Sequence, residues 1–202
     1  MIGALIEIVR LIINTIGSLY LYAVILRFLL QLARADFYNP ISQALVRITN
    51  PAVKPLRRLI PGLFGVDVAS LVLAILVKFA MIVVIFFVQT GSLNLNYIMV
   101  VLVSVLSVFV TIFNIYFVAM IVMIILSWVA PGSYHPAAVL VMQIAEPIMA
   151  PFRRLLPPMG GIDFSPILAF LALNVVKILF SAMAVQIGLS PHSFLGLLIL
   201  NI

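Results

Sequence analysis

Four long apolar stretches, separated by short polar or proline-bearing segments, set the pattern of the chain. Leu11 to Leu32 is apolar apart from Arg27 and a few small polar groups, and can begin near Ala4. Val68 to Val88 carries one charge, Lys78; Tyr97 to Trp128 carries none; Ser165-Pro166 to about Val185 carries Lys177. At about 1.5 Å of rise per residue, each can cross a hydrocarbon layer about 30 Å thick. The third exceeds what a perpendicular crossing needs, which predicts a tilted helix or a preceding interfacial turn.

The segments between them are patterned too. Asn39-Pro40 marks a turn, after which Ile41, Ala44, Leu45 and Ile48 recur at helical spacing with Ser42, Gln43, Arg47 and Thr49 largely opposite. This predicts a short amphipathic helix on the membrane surface. Pro51 and Pro55 bias Asn50 and Lys54 away from helical dihedrals, which predicts that the helix gives way to a rigid, kinked connection. His135-Pro136 stands where the first half has Asn39-Pro40, and a more apolar short helix is predicted from there through Ala145. Ser165 before Pro166 reads as a helix N-cap, and Asp67 is the candidate cap for the second span. The apolar tail after Gly188-Leu189-Ser190-Pro191-His192 is too short for a further crossing and is expected in the interface.

One motif occurs twice. Asn50-Pro51, Pro55, Arg57-Arg58, Pro61, Gly65 and Asp67 are matched by Glu146-Pro147, Pro151, Arg153-Arg154, Pro157, Gly161 and Asp163, every pair 96 positions apart (147 − 51 and 163 − 67). The sequence therefore divides into residues 1–96 and 97–202, each with two spans and one motif loop. Basic residues concentrate in the two motif loops and are absent from the loop at 89–96, so the positive-inside rule places both motif loops in the cytoplasm and both termini outside. The fold class read from this is all-α: a polytopic membrane protein of four transmembrane helices, in two parallel hairpin repeats with short interfacial amphipathic helices.

Composition changes this picture little. The chain is 66% hydrophobic and 8% charged, with a mean hydropathy of +1.37, more apolar surface than a soluble domain of its length could bury. Lack of a basic n-region and of a small-residue cleavage site argues for a retained anchor at the N-terminus. The absence of cysteine excludes disulfides, thiolate metal sites and thiol catalysis. The basic residues behind the net charge of +6 sit mostly beside predicted spans, which points to attraction to anionic lipid headgroups and to topology control, and away from nucleic acid.

The arginine pairs Arg57-Arg58 and Arg153-Arg154 are the foremost candidates for function, because a guanidinium at the membrane surface can grip phosphate oxygens in bidentate fashion. The competing reading is structural, with the arginines setting topology or pairing with Asp67 and Asp163. Inside the spans, Lys78, Asn114, Asn174 and Lys177 are polar groups at costly depth. They read either as a seam between the repeats that carries an ion or anionic group, or as snorkelling and interhelical hydrogen-bonding residues. Arg27 stands close enough to the helix end at Arg34 for its stem to snorkel to the headgroups. His135 and His192 lack the spacing of a metal site, and no cofactor or catalytic constellation is visible.

The doubled pattern of Asn/Glu-Pro, a second proline, Arg-Arg-Leu-Ile/Leu-Pro and Gly-Val/Ile-Asp resembles the YggT family, which includes the YlmG proteins of Gram-positive bacteria and plastids. The second copy, through Met159-Gly160-Gly161-Ile162-Asp163-Phe164-Ser165-Pro166, is the closer match; the first departs at Phe64 and Ala69-Ser70. The resemblance implies an inner-membrane or plastid protein without established enzymatic chemistry, here in two-repeat form, associated with osmotic or ionic stress tolerance. The residues themselves add the expectation of no cofactor, with membrane lipids, a protein partner or a second copy of the chain as its contacts. The alternative function is a small transporter or channel along the inter-repeat seam.

Overall fold

A computed structural model describes residues 2–62, 65–130, 132–156 and 163–186. Its regular elements are six helices: α1 (Ile2–Leu32), α2 (Pro40–Leu59), α3 (Val68–Thr90), α4 (Tyr97–Val129), α5 (Pro136–Leu155) and α6 (Ser165–Gln186). Four of them, α1, α3, α4 and α6, are long and apolar enough to cross a membrane. The third predicted span, α4, is one unbroken helix of 33 residues, about 50 Å long at the usual rise. Both ends of α2 recur in α5 at a displacement of 96 (136 − 40 and 155 − 59).

Within the first half α1 lies along α3, and α2 packs on both; in the second half α4, α5 and α6 are mutual neighbours. The halves meet mainly where α3 packs on α4, with smaller contacts from α1 and α2 to α5 and from α1 to α4. Leu21, Val24, Ile25 and Leu29 of α1 form the main core with Val53, Ala74, Met120 and Met149. Gly17 lets α1 approach α3 closely: a Cβ there would stand 2.7–2.9 Å from Met81 side-chain atoms. Leu5, Ile12 and Ile16 on α1, with Ile167, Leu171 and Ile178 on α6, face outward, as hydrocarbon-facing residues do.

The short elements begin as their sequences dictate. Asn39 caps α2 by accepting from the Ile41 amide at 3.0 Å, with Pro40 at the first helical position. Its Nδ2 also donates to the Pro136 carbonyl at 2.9 Å, and the Asp36 amide donates to Gln143 Oε1 at 3.2 Å, so the starts of α2 and α5 are tied together. Asp67 caps α3, as expected from sequence. In α6 the Ser165 hydroxyl does not cap; it donates to Asp163, whose carboxylate accepts the Ser165 amide at 2.9 Å.

Beside the Ser165 cap, two further expectations are corrected. Neither α2 nor α5 ends at the first proline of its motif: both run on through Pro51 and Pro55, and through Pro147 and Pro151, to Leu59 and Leu155. All four prolines are exposed. The carbonyl that each leaves without an N–H partner, four residues earlier, therefore lies toward the outer face, where it can be solvated, and packing of the inner face carries the helix past the break. Arg27 does not snorkel. It is 3% exposed and its Nη1 donates to Thr49 Oγ1 at 2.7 Å, to Asn50 Oδ1 at 2.9 Å and to the Val46 carbonyl at 3.5 Å. Three acceptors on α2 replace headgroup water, so the guanidinium is satisfied inside the bundle. The expected interfacial tail lies outside the described residues.

Candidate functional site

The motif loops are built around the first arginine of each pair. Arg57, in the last turn of α2, reaches Asp67 through Nη2 at 2.5 Å and Nε at 3.2 Å, and donates from Nη2 to Gln31 Oε1 of α1 at 2.9 Å. One guanidinium thus fastens the end of α2 to α1 and to the cap of α3. The Asp67 side chain is 2% exposed against 42% for Arg57. Burial pushes the Asp67 carboxyl up, but hydrogen bonds from Arg57 and Ser70 outweigh it and hold the group below the usual carboxylate range.

The second loop repeats the plan in looser form. Arg153 Nη1 donates to Glu146 Oε2 at 2.7 Å, Nε lies 3.4 Å from Asp163 Oδ2, and Nη2 lies 4.0 Å from Met123 Sδ. The Asp163 side chain is 41% exposed. The Ser165 hydroxyl is the largest influence holding Asp163 below the usual carboxylate range; burial opposes it, and the Ser165 amide and then Arg153 add to the lowering. The departure at Ala69-Ser70 is compensated: Ser70 in one half and Ser165 in the other, one alignment position apart, each donate a hydroxyl to the motif aspartate.

The nodes differ in charge. Where the first half buries Arg27 against Asn50, the second has Met123 and Glu146 at the positions 96 residues on. Arg27, Arg57 and Asp67 sum to +1, and Glu146, Arg153 and Asp163 to −1. Sequence reasoning assigned Arg27 to the headgroups and passed over Gln31, although their i, i+4 spacing marks one polar face of α1 turned toward the motif.

The second arginine of each pair is not used in this way. Arg58 and Arg154 are exposed and have no ion pair among the described residues. Pro61 is exposed beyond the end of α2; Pro157 and Gly161 lie outside the described residues. Among the intramembrane polar residues, Lys78 is buried on α3, and Asn114 borders a mainly apolar cavity of about 390 Å³ with Tyr22, Leu26, Val118 and Val122. The two α6 residues are held by other means. Asn174 is exposed and donates to its own helix at Phe170 O, 2.9 Å, while Lys177 Nζ lies 5.6 Å from the Phe117 ring centre. No cluster of three or more His, Asp or Glu that could hold a metal occurs among the described residues.

A family model described as CCB3/YggT matches residues 6–88 and again residues 97–184. The chain belongs to the CCB3/YggT family. It is 53% identical over 169 residues to an uncharacterised protein of Pseudomonas aeruginosa, covering 83% of this chain and 85% of that one. It is 41% identical over 164 residues to YggT of Escherichia coli K12, covering 81% and 84%. YlmG homolog protein 2, chloroplastic, of Arabidopsis thaliana is 41% identical over 64 residues, 30% of this chain and 24% of that protein. No solved structure matches it. Family membership, with four helices long and apolar enough to cross a membrane among the described residues, makes it an integral membrane protein.

Proposed function

We propose that this YggT-family protein is a non-enzymatic, two-repeat scaffold of the bacterial inner membrane, with domains at residues 1–96 and 97–202 related as parallel hairpin repeats. Its motif loops face the cytoplasm and contact lipid headgroups or a partner, and in doing so support the envelope under osmotic or ionic stress. The observation that carries this reading is the division of labour in each arginine pair. Arg57 and Arg153 are bound to the loop's own aspartate, while Arg58 and Arg154 are exposed and form no ion pair among the described residues. A guanidinium presented beside exposed Leu59 or Leu155 suits the boundary between acyl chains and phosphates. The displacement of 96 shared by motif and helices supports the repeat reading.

The test combines two measurements. A photo-crosslinking residue placed at position 58 or 154 in native membranes is expected to capture phospholipid or one protein, read by mass spectrometry. Arg58→Glu with Arg154→Glu is expected to impair growth at high osmolarity while leaving protein abundance unchanged. Unimpaired growth of that variant, or a cytoplasmic signal from a reporter fused after Gln89, overturns the proposal. The transport reading draws less support, because Asn174 and Lys177 are engaged within α6 and with α4; ion flux in proteoliposomes of the purified protein would restore it.

A further inference from the structure

The outer surface of α2 is more specialised than a matched pair of motif loops requires. Gln43, Arg47, Pro51, Lys54 and Arg58 follow one another at spacings of four, four, three and four, so they share one line along the helix, and all five are exposed. Beside that line runs an exposed apolar one made by Ile41, Ala44, Ile48, Pro55 and Leu59. The remaining face, with Ser42, Thr49 and Val53, is buried. The helix is therefore three-sided: one side packs on α1 and α3, one suits acyl chains, and one is cationic. No carboxylate among the described residues forms an ion pair with Arg47, Lys54 or Arg58. A groove of about 330 Å³, bordered by Phe37, Gln43, Val46, Arg47 and Asn50, opens at the start of the cationic line.

The corresponding line on α5 is Val139, Gln143, Pro147, Ala150 and Arg154, with one cation in place of three. Two equivalent single-phosphate sites do not need that difference. Arg47 and Lys54 are about 10 Å apart along the axis, and Lys54 and Arg58 about 6 Å, so the line offers two anion positions within reach of one bridged headgroup. Resting on the reading that these helices meet the headgroup layer, we infer that α2 is a binding site for a diphosphatidyl phospholipid of the cardiolipin type. One phosphate lies at the groove against Arg47, the other between Lys54 and Arg58, and the chains run down past Ile41, Ile48 and Leu59. Once the first phosphate is held, the second binds at high effective concentration, so the two-phosphate lipid outcompetes a one-phosphate lipid.

The test uses the full chain purified in detergent, with tetraoleoyl cardiolipin, phosphatidylglycerol and phosphatidylcholine as probes and native mass spectrometry as the readout. Wild type is expected to retain cardiolipin at least about fivefold better than phosphatidylglycerol, the gain of roughly one extra basic contact. The variant Arg47→Gln/Lys54→Gln/Arg58→Gln is expected to lose that preference with an unchanged melting temperature, because the three exposed side chains form no ion pair among the described residues. Arg154→Gln is expected to keep it. Equal retention of cardiolipin and phosphatidylglycerol, both above phosphatidylcholine, overturns this inference and leaves headgroup contact standing. Equal retention of all three overturns both. A preference that survives the triple variant, or is lost with Arg154→Gln, overturns the assignment to α2.

Discussion

The two motif arginines that look interchangeable in the sequence should differ sharply when removed. Replacing Arg57 by Ala leaves the Asp67 carboxylate, 2% exposed, without its bidentate partner. Breaking a buried ion pair from one side costs about 3–5 kcal/mol. Arg57 is itself 42% exposed, and Ser70 still donates to Asp67, so a discount to about 2–3 kcal/mol is appropriate. Arg153→Ala breaks contacts to side chains 41% and 52% exposed, which places its cost at or below about 1 kcal/mol. For a chain of this size the first loss corresponds to a fall in Tm of roughly 5–10 °C and the second to about 3 °C or less. The assay is survival of the monodisperse peak in detergent after heating, read by size-exclusion chromatography. Asp67→Asn in the Arg57→Ala background is expected to recover part of the loss, because no uncompensated buried charge remains. Acid should act on the same pair. A carboxyl held below its usual range contributes stability that is complete above about pH 4 and fades as pH falls through its lower folded-state value. Wild type should therefore lose Tm as pH falls below about 4, the ordinary carboxylate value, more steeply than Asp67→Asn. If Arg153→Ala destabilises as much as Arg57→Ala, the contrast drawn between the nodes is wrong.

Three further outcomes follow from single contacts. Arg27→Met, which installs the residue of the corresponding position 123, should cost about 1–3 kcal/mol by taking the guanidinium donor from Thr49 Oγ1 and Asn50 Oδ1; an unchanged melt would show that α1 and α2 dock without the guanidinium. Gly17→Leu should displace the buried Met81 side chain, whose atoms lie 2.7–2.9 Å from a Cβ at position 17; the expected loss is about 1 kcal/mol, since an unbranched thioether can repack, and Met81→Ala in the same chain should recover part of the lost Tm. Arg34 closes α1 in the left-handed region at φ 51°, so Arg34→Gly should raise stability by about 1 kcal/mol, read as a Tm increase.

Much of the architecture is written locally. Hydropathy and length mark the four spans because a bilayer requires about twenty apolar residues whatever they pack against, and the Asn39-Pro40 and His135-Pro136 starts follow from capping chemistry alone. The 96-residue displacement was equally legible, since duplication is a property of the string. What local reading missed lies in the packing. Pro51 and Pro55 look like breakers by dihedral preference, yet α2 continues because its prolines fall on the outer face while Thr49 and Val53 are gripped on the inner one. Arg27 looks like a snorkelling anchor until α2 brings three acceptors to it from 19 to 23 residues along the chain. The sequence names Arg57 and Arg153 with equal emphasis; only their surroundings decide that one closes a buried knot of three helices and the other an exposed loop. Chain order determines which residues exist and how often they recur, but their energies depend on which neighbours and how much water the assembled bundle leaves around them.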